Sequence, residues 1–261
     1  MKVVVLCGGE GTRIRSVDEN LPKPMIPIGP YPILWHIMKN YAQWGHSEFV
    51  LCLGYRAQAI KEFFLNYDAY TNDITLTIGR DKSIEHHGNH NETGWRITLA
   101  ETGQKAMTGA RVRKIRKYIG DDETFMLTYG DGLSDVDVDK LLAFHKSHGK
   151  VLTVTGVRPM GRFGELECDA SGMVTEFNEK PQATAGRISG GFFVCNRRLF
   201  DYLDDGDDLV FEQTPMKRLV ADGELMVYEH DAFWQCMDTY RDFQYLTDLW
   251  RTERAPWMNW A

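Results

Sequence analysis

The chain has 261 residues, 43% of them hydrophobic and 26% charged, a usage that excludes collagenous, disordered and disulfide-scaffold classes. Its formal net charge of −7 argues against nucleic acid as a partner, which would need a basic excess. No apolar run approaches the ~18 residues of a membrane helix, so no membrane partner is expected.

Residues 2–7 (KVVVLC) form an apolar run suited to a strand buried on both faces of a parallel sheet. The run is too short for a secretory leader, and GGEGTR follows at once. A long glycine- and proline-rich connection occupies residues 8–32; such stretches inside a domain usually serve function. Pro32 then suits the first position of a helix carrying Ile33, Leu34, Ile37, Met38 and Tyr41 at 3.6 spacing, with Gly45 as its stop. A strand is expected over 48–54, a helix over 56–66 and a strand over 73–79. The polar stretch 80–95 reads as a loop, RITLAET as a strand and MTGARVRKIRKYIG as one helix.

In the second half, TFMLTYGDG is a buried strand running into Asp131, and a helix follows over 138–148. Strands are expected in VLTVTGVR, GELECD, VTEFNEK and GGFFVCN. Helices are expected over 197–204 and 209–222, then a strand in LMVYEH and a last helix over 240–252. Alternation followed by clustered strands predicts an α/β fold. The sheet is expected to be open, mainly parallel and Rossmann-like, flanked by helices, with an antiparallel part in the second half. With no linker or repeat, a single domain over 1–261 is expected. Five cysteines without a C-x-x-C pair are expected to be reduced, in a cytoplasmic protein.

Ligands of such sheets sit beyond the carboxyl ends of the strands. Three features fall there: GGEGTR, the GDG containing Asp131, and the MDT containing Asp238. Gly8, Gly9 and Gly11 let backbone N–H groups crowd toward an anion, with Thr12 and Arg13 adding a hydroxyl and a charge. Neither the dinucleotide fingerprint nor the P-loop fits, because position 14 is Ile and no Gly-Lys-Ser/Thr ends the loop. Lys23 stands between Pro22 and Pro24, which restrict its backbone. Asp131 and Asp238 are candidate ligands of a divalent cation; the alternatives are a turn residue and a helix N-cap. Asp135, Asp137 and Asp139 contain a D-x-D, for which stabilisation of a helix N-terminus is the preferred reading over a metal site. His86, His87 and His90 lie in the polar loop without a metal-ligand pattern.

LCGGEGTRIR, LPKPMIPIG and PILWHIMKNY resemble the opening of the sugar-1-phosphate nucleotidyltransferases. Together with TYGDG, GRFGELE, FNEKP, GGFFV, FWQCMDTYRD and APWMNW, they resemble the bacterial glucose-1-phosphate cytidylyltransferases over the whole chain. The resemblance implies that CTP and glucose 1-phosphate react to CDP-glucose and pyrophosphate with Mg²⁺. It implies that Leu6, Gly8, Gly9, Gly11, Thr12, Arg13, Arg111 and Gly130 hold the nucleotide, with Arg13 and Lys23 at the reacting centre. Asp131 and Asp238 would bind the metal. Glu179, Lys180, Ser189 and Gly190 would meet the sugar phosphate. A homo-oligomer is implied, with APWMNW as a candidate contact. Three positions depart from the pattern: Cys7 for Ala, Ser189 for Asn and Cys236 for Pro. Ser189 leaves the sugar open, and UTP or dTTP stands beside CTP as an alternative nucleotide. From a different class, a nucleotide-sugar glycosyltransferase using the acids at 135–139 would leave GGEGTR and PKP without a role. A sensor without turnover would have no need of the charged set.

Overall fold

A computed structural model describes residues 1–11, 14, 21–88, 90–159, 165–168, 173–178 and 186–260, with 165–168 and 176–178 described by backbone alone. The first apolar run forms β1 (Lys2–Leu6). The proline-rich connection makes a 3₁₀ turn over Lys23–Met25 and a short ladder between β2 (Pro27–Ile28) and β3 (Tyr31–Pro32). Pro32 caps α1 (Ile33–Ala42) from an extended conformation, one position earlier than its expected place inside the helix. There follow β4 (Glu48–Leu53), α2 (Ala57–Leu65), α3 (Tyr67–Thr71), β5 (Ile74–Thr77), β6 (Ser83–His86) and β7 (Arg96–Glu101).

The run expected as one helix is two, α4 (Thr108–Lys114) and α5 (Arg116–Ile119), divided at Ile115. Next come β8 (Thr124–Tyr129), β9 (Gly132–Ser134), α6 (Val138–His148), β10 (Leu152–Val157), β11 (Glu165–Cys168), β12 (Val174–Asn178) and β13 (Ile188–Asn196). The chain closes with a 3₁₀ helix at Arg197–Tyr202, α7 (Thr214–Ala221), β14 (Leu225–His230), β15 (Trp234–Cys236) and α8 (Tyr240–Arg251).

One sheet has the strand order β14-β10-β13-β8-β1-β4-β7. β8, β1, β4 and β7 run parallel, whereas β13 is antiparallel to both β8 and β10. This is the mainly parallel sheet with an antiparallel second half that the element order predicts. Side chains alternate across a strand, and β1 shows it: Val3 and Val5 join the core containing α1, while Val4 and Leu6 join the core containing Val112 and Ile115. Coverage on both faces is what a continuous apolar run in a parallel strand requires. No helix among the described residues is long and apolar enough to cross a membrane.

Two expectations are corrected. The polar stretch 80–95 contains β6, which pairs antiparallel with β5 and sets the exposed Leu76 opposite the exposed Ile84. The helix expected from 209 begins only at Thr214. Within APWMNW, Trp257 is wholly buried in the chain's own core, stacked on Phe233 and edge-on to His36, while Pro256 and Asn259 are exposed.

Candidate active site

Parallel pairing of β1 with β8 brings their carboxyl ends together, Leu6 opposite Tyr129. The Gly130 N–H then donates to the Leu6 carbonyl at 3.1 Å. A Cβ on Gly130 would stand 2.9 Å from that carbonyl oxygen and 3.1 Å from Pro24 Cγ. Glycine here therefore seats the Pro22–Lys23–Pro24 turn against the strand ends. Cys7, just past β1, is buried and donates its thiol to the Val5 carbonyl at 3.5 Å.

Gly11 has φ +58, the left-handed region that favours glycine, and a Cβ there would lie 2.9 Å from Lys23 Cβ. The loop thus folds directly over Lys23. From that position the Lys23 ammonium donates to Asp131 Oδ2 at 2.6 Å and also to Asp238 Oδ1. Burial pulls the Lys23 pKa down, but the charge of Asp131 and the hydrogen bonds to both acids outweigh it, and the net direction is up. Lys23 is held charged.

The two acids meet because β9 pairs antiparallel with β15, Gly132 opposite Cys236 and Leu133 opposite Gln235. The Met237 N–H extends the ladder by donating to the Asp131 carbonyl at 2.8 Å. Asp131 immediately precedes one strand and Asp238 closely follows the other, so antiparallel pairing places them side by side. Asp238 is not the N-cap of the last helix. Thr239 is, in a capping box with Asp242, whose Oδ2 accepts from the Thr239 N–H at 2.8 Å and the Asp238 N–H at 3.1 Å. Cys236 is half-buried beside these acids; burial first, then the charges of Asp238 and Asp131, push its thiol up to about 12.

The resemblance implies that Arg111 holds the nucleotide. Arg111 is buried under the glycine loop, donating from Nη2 to the Gly8 carbonyl at 2.9 Å. Its Nη1 donates to the carbonyls of Leu53 and Gly103 and to Thr102 Oγ1, at 2.9, 2.8 and 2.7 Å. A Cβ on Gly8 would sit 2.1 Å from its Cζ, and one on Gly54 would sit 2.4 Å from Nη1. Its guanidinium is committed to protein acceptors, and its geometry is that of a positioning residue. Gly190 is held by packing. A Cβ there would lie 2.7 Å from Val157 Cγ1, where β10 and β13 slip register, and its carbonyl accepts from Trp234 Nε1 at 2.7 Å. Packing demands glycine at 190. Ser189 beside it is exposed, as is Gly9 in the loop. Thr12, Arg13, Glu179 and Lys180 lie outside the described residues.

The D-x-D run divides among local tasks. Asp135 Oδ1 meets His230 Nε2 at 3.0 Å, Asp137 caps α6 by accepting from the Lys140 N–H at 2.9 Å, and Asp139 lies in its first turn. Sequence reasoning missed Tyr129 and Glu212. The Tyr129 hydroxyl donates to Glu212, whose other oxygen accepts from Thr108 Oγ1 at 2.7 Å. Burial, then Glu212, raise the Tyr129 pKa. The TYGDG motif marks Tyr129, but no local signal marks a partner 83 residues away.

A glycine loop and a doubly paired lysine at the carboxyl ends of β1 and β8, with two carboxylates brought together by the β9–β15 ladder, suit the transfer of a phosphoryl-type group. The family model described as Nucleotidyl transferase matches residues 2–245, and the chain belongs to that family. Over 260 residues, covering all of both chains, it is 45% identical to glucose-1-phosphate cytidylyltransferase of Salmonella typhi. Mannose-1-phosphate guanylyltransferase of Mycobacterium tuberculosis is 28% identical over 245 residues, which are 92% of this chain and 62% of that protein. Among solved structures, HddC from Yersinia pseudotuberculosis superposes with a TM-score of 0.69 at 22% identity, over 95% of this chain and 99% of that one. That likeness concerns the fold.

Proposed function

We propose that the chain transfers a cytidylyl group from CTP to glucose 1-phosphate, giving CDP-glucose and pyrophosphate. The full-length relationship to glucose-1-phosphate cytidylyltransferase supports the substrates. The single structural observation that carries the chemistry is the convergence of Asp131 and Asp238 on one cationic group, Lys23 Nζ. Two carboxylates that already share a cation fit a divalent metal, Mg²⁺ on this reading, which supplies charge neutralisation for the triphosphate when bound.

The sugar phosphate is largely dianionic at neutral pH and attacks without a general base. Its oxygen bonds to the α-phosphorus of CTP while the bond from that phosphorus to the bridging oxygen breaks, and pyrophosphate leaves. What the protein supplies is in-line positioning and neutralisation of charge. Leu6, Gly8, Gly9, Gly11, Thr12, Arg13 and Gly130 hold the nucleotide, with Arg13 and Lys23 neutralising phosphate oxygens at the reacting centre. Glu179, Lys180 and Ser189 meet the sugar phosphate.

Pyrophosphate release, measured over a grid of nucleoside triphosphates and sugar 1-phosphates with Mg²⁺, tests this. Release confined to CTP with glucose 1-phosphate is expected. Release only with another sugar makes Ser189 the specificity position, and release with UTP or dTTP but not CTP overturns the cytidylyl assignment.

A further inference from the structure

In the reading above Asp131 and Asp238 serve a metal, yet in the chain by itself a cation of its own stands between them. Lys23 Nζ donates to one oxygen of each carboxylate. Its side chain is only 11% exposed, and its backbone is clamped by flanking prolines within a 3₁₀ turn and overlaid by Gly11. The turn is fixed, while the four-carbon stem leaves the ammonium free to swing. The charges define two arrangements. With Lys23 inward, the two carboxylates share its one positive charge among the described residues. With a divalent cation inward, two carboxylates face two positive charges, and the ammonium is repelled outward toward the glycine loop that overlies it.

We propose that Lys23 is a built-in stand-in for the metal: it keeps divalent cations off the Asp131–Asp238 pair until a triphosphate draws the ammonium onto its own oxygens. Metal and nucleotide then enter as one unit. This rests on the proposed function for the identity of the nucleotide. Coupling between two ligands is reciprocal, so the metal tightens nucleotide binding by the factor by which the nucleotide tightens metal binding. Lys23 thereby acts at two stages, as guard of the acids before binding and as a phosphate ligand afterwards.

The test is Mn²⁺ binding to the full chain without nucleotide, read by electron paramagnetic resonance. Lys23→Met, with Lys23→Gln as a second neutral variant, is expected to bind Mn²⁺ at least about ten-fold more tightly than the unaltered chain, because a competent fraction below about a tenth lowers apparent affinity in proportion. Lys23→Arg retains the positive charge and is expected to stay weak. Adding Asp131→Asn to the Met variant is expected to abolish the gain. Thermal melts establish that each variant is folded, and Mn²⁺ should raise the melting temperature of the Met variant while leaving the unaltered chain unmoved.

Equal Mn²⁺ affinity in the unaltered chain and both neutral variants overturns the proposal, and so does a gain that survives Asp131→Asn. Pyrophosphate release by the unaltered chain reports the proposed function separately. Silence there alongside the Mn²⁺ gain overturns the nucleotide assignment and leaves the cation exchange standing; turnover without the gain does the reverse.

Discussion

The two walls of the site are built in opposite ways. On the loop wall, the carbonyls of Gly8, Leu53 and Gly103 and the hydroxyl of Thr102 converge on one buried guanidinium, that of Arg111. On the acid wall, Asp131 and Asp238 are held by the β9–β15 ladder, the Met237–Asp131 backbone bond and the capping box at Thr239 and Asp242. One wall has a hub and the other has rungs. The Gly8 carbonyl accepts from Arg111 Nη2 at 2.9 Å and from the Tyr55 N–H at 3.2 Å, so among the described residues the loop is braced from below through its backbone. The acids carry their own charged groups, so their backbone is free to be tied by many ordinary bonds. A hub fails all at once, whereas a ladder loses one rung at a time.

The sharpest break is chemical. Asp131→Asn should lower kcat by about a thousand-fold, the scale of losing a preorganised electrostatic group, with pyrophosphate release as the readout. A near-normal kcat with unchanged Mg²⁺ dependence would remove Asp131 from the reaction. On the loop wall, Arg111→Met removes the donor of the Gly103 carbonyl, while the Gly8 carbonyl keeps the Tyr55 N–H and the Leu53 carbonyl keeps the Thr102 N–H and hydroxyl. At roughly 1–3 kcal/mol for a buried unsatisfied group, a loss of up to about 3 kcal/mol in urea unfolding is expected, together with loss of nucleotide binding. A loss below about 1 kcal/mol would show that the Tyr55 N–H by itself holds the Gly8 carbonyl.

Behind the acid wall, His36 sets a pH limit. Its Nε2 meets the Ile28 carbonyl at 2.9 Å, and its Nδ1 accepts from Trp257 Nε1 at 3.3 Å, an arrangement of the neutral ring. Burial lowers its pKa to about 4, against the hydrogen bond to Ile28, from an ordinary 6.5. The unfolded chain binds this proton more readily than the native one. The stability is therefore complete above about pH 6.5 and is lost as pH falls toward 4, by on the order of 3 kcal/mol. Urea midpoints measured down this range should fall, with a Trp fluorescence change from Trp257, and His36→Gln should flatten the slope. An unchanged slope in that variant would assign the acid sensitivity to other groups.

The smallest effect belongs to a single rung. Thr239→Ala removes the side-chain half of the capping box and should cost about 1 kcal/mol, with kcat within a few-fold of the unaltered chain. A collapse of activity would mean that the acid wall, too, depends on one residue.

Much of the fold is legible locally. The apolar runs of β1, β4 and β8 and the spacing of α1 follow from short-range periodicity, and the helix expected over 138–148 is found at Val138–His148. The motifs around Lys23, Asp131 and Asp238 mark the chemistry through their resemblance to a family. Of the β5–β6 hairpin, the strand expected over 73–79 is found at Ile74–Thr77, whereas β6 was not legible because it is short, exposed and lacks the apolar run that marks a buried strand. The role of Arg111 was hidden for another reason: its contact with Gly8 spans 103 residues, and an arginine in a motif looks the same whether it faces a ligand or the loop beneath it.

By itself, the sequence determined the order and kind of the elements, because backbone sterics and side-chain periodicity act over a few residues. It also determined which residue types were present for phosphate, metal and sugar chemistry. Only the tertiary structure decided how they are used. Lys23 meets Asp131 across 108 residues and Asp238 across 215, because β1 lies beside β8 and β9 pairs with β15. Gly190 is small for Val157, and Trp257 is core. Those outcomes depend on which strands become neighbours, a choice made by burial of the whole sheet's apolar surface rather than by any local run of residues.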